Sequence, residues 1–241
     1  MNASVGGGLK SRYETEKELA KCGRDTGAVY PCKDKVTNEY VACKSINRMS
    51  YTYNPDFIKR EIMIMNELTH PNVVSLKSVY VDDDHVDLIM ENCSGSDLHN
   101  RLTEITRFTE SNAKFFFKQL MGVVESCHER ALEMPDQDPV YDQAVDVWSP
   151  GVVLFCLLSG SPPFYGETNA DIIENIKDGG FYYDRCLWIN ISELAKDLVS
   201  GMLCKDPAKR LTATEWEYGS LYYVFVTDIK ITVLDRTLRT V

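Results

Sequence analysis

The chain has no apolar run long enough to cross a bilayer. Its longest, Gly151 to Leu158, falls well short of the roughly 20 residues a spanning helix needs. No stretch is strongly basic and the net charge is −10, which excludes the phosphate-backbone footprint of a DNA- or RNA-binding protein. Eight cysteines (Cys22, Cys32, Cys43, Cys93, Cys127, Cys156, Cys186 and Cys204) include no C-x-x-C pair, so a zinc ribbon or redox motif finds no support. Scattered among apolar residues, they read as free thiols of a reducing compartment. Met1 to Val5 form no apolar signal core, and Asn2 stands where myristoylation needs glycine. These absences predict a cytoplasmic protein, with nuclear access open, that engages neither membrane nor nucleic acid.

What is present is ordinary for a globular chain: 241 residues, 44% apolar and 26% charged, enough to bury a core. Residues 1–12, with Gly6-Gly7-Gly8, read as a flexible leader. From Tyr13 to about Met90 the pattern is strand-like. Two β-prone runs, Ala28-Val29-Tyr30 and Tyr40-Val41-Ala42-Cys43, flank a polar turn at residues 34–38. A hairpin follows, Val79-Tyr80-Val81 and Val86 to Met90, around Asp82-Asp83-Asp84. Those aspartates lack the glycine and terminal glutamate of a calcium loop and read as a turn. Asn54-Pro55-Asp56 is a helix start, and Ile58, Ile62 and Met65 then share one helical face.

Beyond residue 94 the chain turns helical, over Ser111 to Cys127, Val147 to Leu158, Asp171 to Ile176 and Glu193 to Leu203. A β-rich half followed by a helical half predicts an α+β, two-lobed fold. After Glu215 the pattern breaks. Tyr222 to Leu234 is β-branched and partly alternating, with no evident partner strand.

Lys44 ends the run Val41-Ala42-Cys43-Lys44, and Glu61 lies in the following helix. Alone, such a pair reads as a surface salt bridge. Its company points further. The stretches Tyr13 to Ile46, Arg60-Glu61-Ile62-Met63, His70 to Val74, Leu88 to Cys93 and Gly95-Ser96-Asp97-Leu98 resemble the small lobe and hinge of plant calcium-dependent protein kinases and related serine/threonine kinases. Asp146-Val147-Trp148-Ser149-Pro150-Gly151, Gly160 to Phe164 and Asp206 to Thr212 are similar to the large-lobe motifs of the same family.

The resemblance covers residues 13–215. It implies a small lobe over 13–93, a large lobe over 94–215 and an atypical tail over 216–241. It also implies ATP, with Mg2+ carried only through the nucleotide, contacted by Gly27, Val29, Ala42, Lys44, Glu61 and the gatekeeper Met90. Of the glycine-rich loop G-x-G-x-x-G-x-V, only Gly27 and Val29 align cleanly. Cys22 and Arg24, or with one inserted residue Lys21 and Gly23, fall at the other glycines.

Cys127-His128 should shortly precede H-R-D, D-F-G and A-P-E. Instead residues 129–143 run straight into Ala144 and Asp146, and none of the three motifs occurs in the chain. The catalytic base and the metal ligands are therefore not carried over, and Asp136, Asp138 and Asp142 read as loop residues. The resemblance pairs Asp146 with the catalytic loop and Arg210 with the A-P-E glutamate, both lost. Arg210 is then expected to take Glu133 or Asp138 as its acid, or to become exposed.

The tail carries neither EF-hands nor a basic amphipathic helix, so calcium and calmodulin are not expected. The sequence predicts an inactive kinase relative. Two further readings stay open: a pseudokinase that binds a partner, and a mis-spliced or mis-predicted kinase product.

Overall fold

A computed structural model describes residues 9–16, 20–22, 27–93, 97–133, 144–213 and 215. They fall into two compact units, one ending at Gly95 and the other beginning at Ser96.

The first unit is built on an antiparallel sheet. Its strands are β1 (Tyr13–Thr15), β2 (Ala20–Cys22), β3 (Gly27–Asp34), β4 (Tyr40–Asn47), β5 (Leu76–Val81) and β6 (His85–Glu91), ordered β1-β3-β4-β6-β5 with β2 also on β3. Strand β3 contains a proline, which cannot donate to a ladder. Strand β1 pairs with Cys32 to Asp34 and β2 with Gly27 to Val29, so Pro31 lies at the seam between them. Its carbonyl accepts from the Glu16 amide across that seam at 2.9 Å. In an antiparallel pair the return bond would run from residue 31 to the Glu16 carbonyl, and proline, having no N–H, forgoes that one bond.

One face of the sheet is closed by helix α2 (Pro55–Glu67). Asn54 caps it, accepting from the amides of Asp56 and Phe57 at 3.0 and 3.3 Å, with Pro55 at the first-turn position proline tolerates. Ile58 and Ile62 pack on Ile46, Val86 and Leu88. The opposite face buries Tyr13, Cys32, Val41, Cys43, Tyr80 and Ile89.

The end of the expected flexible leader is instead ordered. Leu9–Arg12 forms a helical turn, α1. Leu9 packs against the second cluster, and the Arg12 guanidinium donates twice to Asp34, at 3.0 and 3.1 Å. The Val36 amide, then Arg12, hold the Asp34 carboxyl below its ordinary range.

The second unit holds α3 (Leu98–Ile105), α4 (Glu110–Glu133), α5 (Ala144–Ser159), α6 (Asn169–Asp178), α7 (Arg185–Trp188) and α8 (Glu193–Met202). Helix α5 is apolar on nearly every side and buries Val147, Leu154, Phe155, Leu157 and Leu158, as expected for a central helix. It packs on α4 and α8 within one cluster that includes Met121, Val199 and Met202. Gly151 permits this approach: a Cβ there would lie 2.8 Å from the Met202 Cβ. The alternating tail, residues 222–234, lies outside the described residues.

Two measurements test this packing. Gly151→Ala should lower unfolding stability by about 1–3 kcal/mol through overpacking, read by urea denaturation. Asp87 is 5% exposed, and burial pushes its carboxyl above the ordinary range. The folded state therefore favours the protonated form, and stability is lost as pH rises through the folded pKa. Asp87→Asn removes that loss, so its Tm advantage over wild type should widen between about pH 4 and about pH 7. A constant difference would contradict the assignment.

Candidate functional site

In the first unit, residue register gathers the expected nucleotide contacts. Strand period places alternate residues on one face, and directly opposed residues share it. Val29 pairs with Lys44 across β3 and β4. Ala42 pairs with Met90, and Lys44 with Leu88, across β4 and β6. Val29, Ala42, Lys44 and Met90 therefore line one face of three neighbouring strands, the face on which α2 packs. Glu61 projects from α2, and its Oε1 lies 2.5 Å from the Lys44 Nζ. The two side chains are 25% and 35% exposed, so the pair is open enough for a ligand to reach the ammonium.

Gly27 opens β3, where a Cβ would stand 2.0 Å from the Ser45 carbonyl oxygen. Its lack of a side chain thus serves sheet closure as well as any phosphate approach. Residues 23–26 of the degraded loop lie outside the described residues. What is described fits the nucleotide end of the family's chemistry: a lysine held by a glutamate for phosphate oxygens, beside an apolar strand face for a base. Among the described residues no three His, Cys, Asp or Glu side chains converge as a metal site, and no helix is long and apolar enough to cross a membrane.

The second unit adds two contacts. Among the described residues, Arg210 meets backbone carbonyls, while the side chains of the acids expected of it lie outside them. Its Nε donates to the Cys204 carbonyl at 2.9 Å and its Nη1 to the Ala144 carbonyl at 2.8 Å. The guanidinium also stands over the Trp148 ring, 4.8 Å from the centroid. Carbonyl oxygens and an aromatic face are partners that suit a planar five-donor cation. Asp138 and the Glu133 side chain, like Asp136 and Asp142, lie outside the described residues.

Asp146 hydrogen-bonds His128 at 2.8 Å between Oδ2 and Nε2. His128 is buried. Sequence reasoning missed this α4–α5 link, although the retained Cys127-His128 pair just before the junction was the available signal. Trp148 stacks in turn on Phe164 at 5.7 Å.

The chain matches the protein kinase domain family over residues 18–136 and 130–218. It is similar to calcium-dependent protein kinase 29 of Arabidopsis thaliana, 33% identical over 274 positions covering 92% of this chain and 50% of the relative. Calcium-dependent protein kinase 1 of the same plant is 33% identical, over 85% of this chain and 43% of its own length. Calcium-dependent protein kinase 10 of Oryza sativa subsp. japonica is 33% identical, over 88% and 45%. The chain thus spans about half the length of the curated relatives it matches.

Arg210→Lys keeps the charge but loses the fork and the stack. It should destabilise the second unit by about 1–3 kcal/mol in urea denaturation followed by tryptophan fluorescence. No change would show that the carbonyl contacts contribute nothing.

Proposed function

Because the chain belongs to the protein kinase family, we propose that it is a serine/threonine-kinase-like protein whose small lobe still receives ATP and which does not itself transfer phosphate. The observation that carries this reading is the Lys44–Glu61 pair, formed at 2.5 Å on the face lined by Val29, Ala42 and Met90, in a chain without H-R-D, D-F-G or A-P-E. In this family ATP is the phosphate donor and Mg2+ accompanies it. Lys44 would hold phosphate oxygens, with Glu61 fixing the ammonium. Transfer also needs a group to position the acceptor hydroxyl and acids to hold metal ions across the phosphates, and no residue of this chain matches the family's for either. Mg2+ would then arrive only with the nucleotide.

The remaining role is engagement of a protein partner through a folded large lobe. The Arg210 bonds to the Cys204 and Ala144 carbonyls and the His128–Asp146 bond support that lobe holding together. Seven of the eight cysteines stand as free thiols, which supports residence in a reducing cytoplasm.

A second reading, a product of altered splicing or gene prediction, is favoured by two observations. The alignment with the first relative runs over 274 positions, more than the 241 residues of this chain, and the family match falls in two stretches meeting near residues 130–136. Transcripts read across residues 129–143 decide it, since a native message that encodes the kinase segment would establish this second reading.

The nucleotide reading is tested by thermal unfolding of the whole chain with and without Mg-ATP. A cooperative transition raised by a few degrees is expected, with no rise in Lys44→Met. A cooperative transition that ATP leaves in place would overturn nucleotide binding. Phosphate transfer to a serine peptide, abolished by the same substitution, would overturn the inactive assignment.

A further inference from the structure

We propose that the outer face of α2 docks a second copy of this chain, through antiparallel pairing of the two helices about a two-fold axis. The inner face of α2 is committed to the sheet. Ile58 and Ile62 pack on Ile46, Val86 and Leu88, and Glu61 reaches Lys44. A surface helix built this way normally turns polar residues outward. Here the outward side also carries Phe57, Met63 and Ile64, exposed by 67%, 56% and 52%.

Two of those residues belong to an ordered stripe. Arg60, Met63, Ile64 and Glu67 stand at i, i+3, i+4 and i+7, the spacing that keeps side chains on one side of a helix. All four are exposed. The stripe runs from a cation, through two apolar side chains, to an anion. Among the described residues neither Arg60 nor Glu67 has an ion-pair partner. The neighbouring exposed charges on α2, Lys59 and Asp56, pair with each other at 3.5 Å. The face is therefore locally neutral in a chain of net charge −10, and a second copy meets no like-charge patch there.

Reversing the stripe produces its own complement. When two copies of α2 lie antiparallel with the axis between Met63 and Ile64, Arg60 of each copy faces Glu67 of the other, and Met63 faces Ile64. Every contact is then made twice, which is the condition for a closed, isologous dimer. A parallel pairing would instead set Arg60 against Arg60 and Glu67 against Glu67. The apolar centre supplies the contact, and the two ion pairs fix direction and register. Phe57, seven residues before Ile64, extends the apolar edge toward the helix start.

One helix pair is a small interface. It buries less than the roughly 1,200 Å² at which specific, stable complexes begin, so the dimer is weak and forms over about 10–300 μM.

The test is sedimentation equilibrium of the whole chain across that range. The weight-average mass should rise with concentration toward twice the monomer mass. Arg60→Glu leaves acids at both ends of the stripe and Glu67→Arg leaves bases, so each variant alone should stay monomeric. An equimolar mixture of the two should associate again, because every acid then faces a base. The double variant, Arg60→Glu with Glu67→Arg, should associate like wild type. A wild-type chain that is monomeric throughout would overturn the proposal and leave the face to another partner, and this arm needs no variant to fold. Association that persists unchanged in both single variants would put the interface elsewhere and overturn it as well. Nucleotide enters neither arm, so the outcome is independent of the ATP reading.

Discussion

Burial of α5 is the constraint on which the second unit depends. A helix apolar on nearly all sides must be surrounded, and α4 and α8 do this through Met121, Val199 and Met202. Once α5 is seated, its first turn sets two polar contacts beside the shortened connection. Asp146 reaches His128 on α4, and the Ala144 carbonyl receives Arg210. A cation left without its family partner would be expensive to bury. Among the described residues the guanidinium is held by backbone oxygens and the Trp148 face.

The first unit separates two chemistries on the two faces of one sheet. Residues 42 and 44 look toward α2 with Val29 and Met90, while 41 and 43 look the other way with Cys32 and Tyr80. Alternation makes neighbours in sequence into strangers in space. Lys44 and Cys43 are adjacent in the chain and lie on opposite faces. A buried acid, Asp87, adds a cost on the thiol face that the apolar residues around it offset.

Element positions were largely legible from local signals. The Asn54-Pro55 start, the β3–β4 hairpin and the apolar run of α5 each follow from capping chemistry or periodicity and appear where those signals put them. Helices α3 and α7 were not foreseen. They are short, and what stabilises them is packing of Leu98, Leu102 and Trp188 into the core, which no window of sequence contains. Lys44 and Glu61 were legible as a pair only in the company of the surrounding motifs, because an isolated Lys–Glu spacing carries little information.

By itself the sequence determined the family, the two-part α+β division, the six residues expected around a nucleotide and the absence of the three catalytic motifs, since each is written in residue identity and order. Tertiary structure alone decided where orphaned groups went. Arg210 reached the Cys204 and Ala144 carbonyls, and Asp146 reached His128. Those outcomes depend on register and on the approach of segments distant in the chain, and a hydrogen bond is set by distance and direction rather than by composition.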